Sequence, residues 1–526
     1  MKRVLLAMLG LACIASPAAA ITDEALLDTL QLGACQYFWD QANPSNGLIK
    51  DRSTATSPCS IASTGFGLSA ICIGVDHGWL TRAQGAGRVL TTLQTFWNGA
   101  QGNSTSGTIG YKGLYWHWLD MSTATRTWDS ELSTIDTALL FAGMLDARQF
   151  FNGGDATETQ IRALADSIYD RADWVFMKNL QPGIKMGYKP GTGFLNFGTW
   201  TGYNEAMILY LLALGSPTHA VPASDWTTWT SGYNWNTQYG YTYLIFPPLF
   251  GHQYSHCWVD FRITRDAFMQ NHGSDYFENS RRATLAQRAY AIANPLARVG
   301  YGDSLWGLTA SDVPPPTGYD ARGAPPGQND DGTITPTAPI GSIAFAPVEC
   351  LAVAHKLWDA YRANLWGAYG FRDAFNLTVE PDWYDTDYLG IDQGPIAIMI
   401  ENYRTGRVWN RFMTHPAILQ GLQSAGFTAI VGVPAVTSTH ALELLPGTPN
   451  PFTHRVTLRY RLAEAGHVRL ALFDVSGREV ARLVDGTRAA GEHTAFFDAD
   501  GMPEGIYLVS LGSGGRRCVG KCVLVR

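Results

Sequence analysis

Three stretches place carboxylates where apolar helices begin. In TGYNEAMILYLLALG, residues 201–215, Glu205 stands at the head of an uninterrupted apolar run. WDSELSTIDTALLFAG, residues 128–143, gathers Asp129, Glu131 and Asp136 before or inside a first turn. DWYDTDYLGIDQGPIAIMI, residues 382–400, sets Asp392 just ahead of Pro395. Taken singly, each acid is a plausible counter-charge to the positive end of a helix: Asn204 reads as an N-cap with Glu205 in the first turn, Ser133 and Asp136 as a capping box, and Asp392 as the N-cap of a proline-started helix. That reading predicts solvated side chains with depressed pKa values. The other reading has the apolar run, Trp200 and Tyr203 desolvating Glu205 until it holds a proton at neutral pH. Three acidic helix starts meeting at one mouth favour acid/base chemistry in a shared site.

Positioning these acids at one mouth requires a ring of helices. Before residue 433 the sequence alternates two helix types. ETQIRALADSIYDRADWVF (158–176) and ENSRRATLAQRAYAIA (278–293) are amphipathic. FGLSAICIGV, TALLFAGML, AMILYLLAL, IAFAPVECLAVA and PIAIMI are apolar nearly all round and belong inside. Outer amphipathic and inner apolar helices in alternation describe an (α/α)6 barrel over residues 21–430, and the sequence by itself leaves an irregular helical bundle open. GVPAVTSTH marks a linker at 431–440. Residues 441–526 turn to period-two strands, VTLRYRL and VRLALF, with turns at Val475-Ser476-Gly477 and Asp500-Gly501, the pattern of a small Ig-like β-sandwich. Between these regions Val313–Pro339 is a long Gly/Pro-rich run, expected to be structureless and to wall one side of a cleft.

Composition narrows the function classes. Charged residues make up 16% of the 526 and the net charge is −7, so neither a nucleic-acid surface nor a polybasic membrane patch is indicated. Seventeen Trp and 23 Tyr suit a sugar-stacking cleft, although a large helical core also consumes Trp. Lys2, Arg3, the apolar run from Val4 and Ala18-Ala19-Ala20 read as a signal peptide over residues 1–20, with Cys13 in a poor lipobox. No later stretch is expected to span a bilayer. Cys35, Cys72, Cys257 and Cys350 read as buried thiols, and Cys518 and Cys522, roughly 13 Å apart along a strand, should not bond to each other. His252 and His256 have helical metal-site spacing but no HExxH frame and no third ligand. QNDDGT lacks a full EF-hand pattern and reads as a turn. Neither a GxSxG elbow nor a Walker loop occurs, and the expectation is no metal and no cofactor.

The blocks SELSTIDTALLFAG, GYNEAMILYLLALG, HCWVDFR, GDSLWGLTASD, DGTITPTAPIGSIAFAP and YLGIDQGPIAIMIENYRTGRVW resemble, in order and spacing, the glucoamylase-like domain of glycoside hydrolase family 144. The resemblance implies an (α/α)6 barrel cleaving β-1,2-glucan, endo or with release of sophorose, by inversion and without a metal. It implies Glu205 as general acid, Asp392 as base, and Glu131 and Asp136 as binders of sugar hydroxyls or of the attacking water. Tyr115, His117, Trp200, Tyr203, His256, Asp260, Arg262 and Trp306, from the same blocks and from GLYWHWLD, are expected to bind substrate. The last 90 or so residues, with Pro449-Asn450-Pro451-Phe452, Phe473-Asp474 and Gly505-Ile506-Tyr507, resemble FlgD-like type IX secretion sorting domains. That implies export to the periplasm, cell surface or medium and contact with the secretion machinery. The expected partner is a β-glucan, with the chain a monomer. A retaining transglycosylase and a non-catalytic glycan binder remain as alternatives.

Overall fold

The computed structural model describes residues 21–326, 329–430, 442–445, 449–462, 465–474, 478–499, 501–513 and 516–525. The expected signal peptide with Cys13, the linker at 431–440, the Val475-Ser476-Gly477 turn and Asp500 lie outside the described residues.

Sixteen α-helices lie among the described residues of the larger region, among them α1 (Asp23–Asp40), α2 (Ile61–Asp76), α3 (Arg82–Asn98), α4 (Thr134–Phe150), α5 (Ala156–Asp170), α6 (Met207–Leu214), α7 (Ser224–Thr230), α8 (Phe250–Gln253), α9 (Tyr276–Ala293), α10 (Thr337–Ile340), α11 (Pro347–Lys356) and α12 (Gly390–Arg404). The even-numbered helices form an inner ring. α2 packs on α4, α4 on α6, α10 on α12 and α12 on α2. Ser255, in the turn after α8, joins α8 to α6 by accepting from the Ile208 N–H (3.0 Å) and donating to the Glu205 carbonyl (3.0 Å). Gln253 joins α8 to α10 by donating to the Ala338 carbonyl (2.8 Å). The ring is thus closed, a barrel of helices. Its inner helices are apolar all round because both their faces are covered; every residue of α6 is buried.

Small residues let the inner backbones approach. A Cβ on Gly143 of α4 would lie 1.8 Å from the Gly65 carbonyl of α2, and one on Gly65 would lie 2.3 Å from the Leu139 carbonyl. Gly215, at the end of α6, is required for a similar reason and not for a left-handed cap: its φ is −91°, and a Cβ there would meet the Ala417 carbonyl at 1.9 Å.

Two expectations about elements change. IAFAPVECLAVA is not an inner helix: α11 begins at Pro347, Val348 is exposed, and only one face is buried, so the stretch is an outer helix. The inner position is taken by the short α10. The 313–339 run is not structureless either. Ala310–Val313 pairs with Gly318–Ala321 as a hairpin, Thr333–Ile334 pairs with Phe375–Asn376, and α10 begins at Thr337.

The C-terminal region has its own core of Val, Leu, Phe and Tyr residues. Seven antiparallel strands, β1 (Glu443–Leu444), β2 (Arg455–Leu462), β3 (Gly466–Phe473), β4 (Glu479–Arg488), β5 (Gly491–Asp498), β6 (Gly505–Ser513) and β7 (Arg516–Leu524), form two sheets ordered β1-β2-β5 and β4-β3-β6-β7. In β2 burial alternates residue by residue, as its period-two sequence requires. Among the described residues, cysteines 35, 59, 72, 257, 350, 518 and 522 form no disulfide. Among the described residues no helix is long and apolar enough to cross a membrane.

Candidate active site

The N-terminal ends of the inner helices meet at one mouth, and the acids lie there. α6 starts two residues later than the sequence suggests. Its N-cap is Ala206 with no side-chain cap, and Asn204 instead closes a turn by accepting the Ala206 N–H (2.9 Å). Glu205 is therefore lifted out of the helix onto the turn before it, its carbonyl held by Ser255. Its Oε2 is buried and has no hydrogen-bond partner. Desolvation, with the charge of Asp136 as a lesser contribution, pushes its pKa up to about 7.

Asp392 occupies the first turn of α12, not its N-cap, and Pro395 lies inside the helix. The start of α12 is pinned from outside: Gly390 N–H donates to the Asp51 carbonyl (2.7 Å), and Arg52 bridges to Leu389. From the neighbouring inner helix, Thr337 donates to the Asp392 carbonyl (2.8 Å). Asp392 is buried, its Oδ2 is unpartnered, and burial pushes its pKa up to about 7 against a hydrogen bond with Asp373 and the charge of Arg52.

Three further acids that the sequence reading did not single out surround Asp392. Asp373 is buried and raised well above the carboxylate range by desolvation and by Asp392, Asp385 and Asp312. Its Oδ2 accepts the Asp312 N–H (2.8 Å). Asp385 is pushed up to about 7 by burial and by Asp312. Arg52 Nη1 donates to both oxygens of Asp312 (3.1 and 2.9 Å) and Arg52 Nε to Asp51 (3.2 Å), bringing one guanidinium into the cluster. These residues come from separate loops, and only the density of acids in TASD and DWYDTD hinted at them.

The third group is His117 with Glu131 and Asp136. His117 Nδ1 lies 2.8 Å from Glu131 Oε1 and Nε2 lies 3.6 Å from Asp136 Oδ1. Burial pulls its pKa down, but the two carboxylates outweigh that and push it up to about 9. The hydrogen bond from His117 holds Glu131 below the ordinary value against its own desolvation. Ser133 caps α4 by accepting the Asp136 N–H (3.2 Å), but the expected capping box is not completed, because Asp136 Oδ2 takes the Ser133 hydroxyl. The three groups share one region: Asp136 acts on Glu205, Asp51 on both His117 and Asp392, and the Tyr254 hydroxyl, buried and pushed well up, feels both Asp392 and Glu205. Tyr319, a partly exposed ring on the hairpin of the 313–339 run, has its hydroxyl raised by local desolvation and by Asp392 and Asp373, which puts that run at the acids.

Two triads bring three ligand atoms within 4.8 Å of one another: His117, Glu131 and Asp136, and Asp312, Asp373 and Asp385. A divalent cation would compete in the first with protonated His117, and in the second with Arg52 and the protons that the raised Asp373 and Asp385 hold.

Several expected sugar-binding residues are structural. Tyr115 is fully buried, donating to the Phe96 carbonyl and accepting from Arg171 (2.6 Å). Tyr203 is buried against Tyr276 and His252. His256 is buried, with Nε2 at 3.0 Å from Ser280 Oγ and its pKa well down from desolvation; His252 is likewise buried and down to about 3. Asp260 and Arg262 pair with each other (2.8 and 2.9 Å), and Arg262 stacks on Trp409, beyond the C-terminal end of α12 and away from the acids. Trp306 is buried with its indole N–H unpartnered. Trp200 stays at the mouth, half-buried, donating to Thr134 Oγ1 at the start of α4 (3.0 Å). In the QNDDGT run, Asp330 accepts from Tyr290 and Tyr301 and Asp331 from Arg322, which makes the described part an anchored turn.

A ring of helices whose N-terminal mouth holds desolvated carboxyls defines a helical-barrel protein with an acid/base site. Residues 198–416 match the family described as "Putative glucoamylase", and residues 448–525 match the "Secretion system C-terminal sorting domain". A putative glucoamylase structure from Bacteroides uniformis is 35% identical, with a TM-score of 0.72 over 78% of this chain and 99% of that one. An endo-β-1,2-glucanase from Chitinophaga pinensis, in complex with sophorotriose and glucose, is 30% identical with a TM-score of 0.71 over 78% and 99%. An exo β-1,2-glucooligosaccharide sophorohydrolase from Parabacteroides distasonis is 31% identical over 77% of this chain and 58% of its own length. The chain belongs to the glucoamylase-like family.

Proposed function

We propose that this chain hydrolyses β-1,2-glucan, either internally or by releasing sophorose, on an (α/α)6 barrel. Its relatives' activities support the linkage, and the buried, unpartnered Oε2 of Glu205 carries the chemistry. A general acid must hold its proton at working pH and release it to a leaving oxygen, and a carboxyl raised to about 7 does both. Asp392 is the base: its neighbour Asp373 is raised well above the carboxylate range and keeps its proton, so Asp392 carries the negative charge and its unpartnered Oδ2 accepts a proton from water. Inversion asks for carboxyls about 6.5–9.5 Å apart with that water between them. Cationic His117 orients Glu131 and Asp136 toward sugar hydroxyls, and Trp200 lines the mouth.

The C-terminal region is read as an Ig-like sorting domain that directs export through the secretion machinery; it supplies no part of the site. The test is Glu205→Gln. Turnover should fall by roughly 10²- to 10⁴-fold while oligosaccharide affinity stays within a few-fold. Activity near the wild-type level in that variant would remove Glu205 from the mechanism.

A further inference from the structure

The turn that leads into Glu131 is built to hold one aromatic ring in solvent. Trp128 is 66% exposed. It and Asp129 both have left-handed backbones, φ +57° and +52°, which non-glycine residues avoid. The turn is held from several sides. Asp129 accepts from Arg126 (2.7 Å) and from Lys189 (3.1 Å), across from the loop before α6. Arg126, buried, also donates to the Ser130 and Thr105 carbonyls and lies over the Trp116 ring (5.0 Å). Thr127 N–H and the Ser130 hydroxyl both donate to the Trp118 carbonyl.

The exposed ring continues the site. His117, which sits between Glu131 and Asp136, stacks on Trp118 with centroids 4.0 Å apart and planes 15° apart. Trp118 in turn meets Trp128 edge-on at 5.8 Å. A track of three rings thus runs from the acids to the surface and ends on an open indole face. Single exposed aromatics need no explanation. A strained, cross-braced turn that does nothing but present one at the end of such a track does.

We propose that Trp128 is an outlying sugar platform, stacking a glucosyl unit of a long β-1,2-glucan beyond those held at the acids, and so sets the preference for chain length. The inference rests on the glucan-hydrolase reading. Aromatic faces take the apolar face of a pyranose without a hydrogen-bond code, which suits a distal position on a uniform polymer.

The experiment compares kcat/KM on a long β-1,2-glucan with kcat/KM on a short β-1,2-glucooligosaccharide, for wild type, Trp128→Ala and Trp128→Phe in the full chain. The long-to-short ratio should fall about tenfold in the alanine variant, through KM, and recover partly in the phenylalanine variant. A ratio equal to wild type in both variants would overturn the platform while leaving the hydrolase reading intact. No cleavage of either substrate by the wild-type protein would remove both.

Discussion

At the residue scale, the site works by withholding water and partners from carboxyl groups. Glu205 and Asp392 are both raised to about 7 mainly by desolvation, and each keeps one buried oxygen unpaired. The rate should therefore trace a narrow bell around neutrality, falling on the alkaline side as Glu205 loses its proton and on the acid side as Asp392 gains one. The same shift has a stability consequence. A carboxyl whose folded pKa lies above its unfolded value contributes stability that is full below about 4.5 and is lost as pH rises through about 7. At pH 8 the folded state holds a buried charge that the unfolded chain would solvate, a penalty on the order of 1–3 kcal/mol. Glu205→Gln removes it, so thermal denaturation should show the variant gaining stability relative to wild type at pH 8 and losing that advantage at pH 5. An advantage of equal size at both pH values would mean that Glu205 is not desolvated.

At the element scale, what was legible in the sequence is what depends on local pattern. Inner helices α2, α4, α6 and α12 announced themselves because a helix covered on both sides has no polar face to show. Glu205 stood out for the same reason, as a charge at the edge of such a run. The start of α6 was misplaced because Asn204 can cap a helix or close a turn, and the sequence does not choose between them. Asp51, Arg52, Asp312, Asp373 and Asp385 were missed because loops bring them together through long-range pairs such as Arg52 with Asp312. His256 and Tyr203, expected at the cleft, are buried, because polar residues that complete a core look in sequence like polar residues that face a cleft. The ring itself depends on close backbone contact between α2 and α4. Gly143→Ala would drive a methyl into the Gly65 carbonyl, and urea denaturation should report a loss of about 3 kcal/mol or more. A loss under about 0.5 kcal/mol would show that the two helices are not packed as closely as this.

At the scale of the whole molecule, much of the aromatic content that suggested a sugar cleft serves the core. Trp116, Trp174, Trp229, Trp258, Trp306 and Trp409 are all fully buried, whereas Trp118, Trp128 and Trp200 are not. The two regions have separate cores, and the matches to the glucoamylase-like and sorting families fall one in each. The most direct test is to incubate the protein with β-1,2-, β-1,3-, β-1,4- and α-linked glucans and analyse the products. Sophorose or short β-1,2-linked oligosaccharides should come from the β-1,2-glucan alone. Release of glucose from α-linked glucan at an equal or greater rate, with the β-1,2-glucan untouched, would contradict the account.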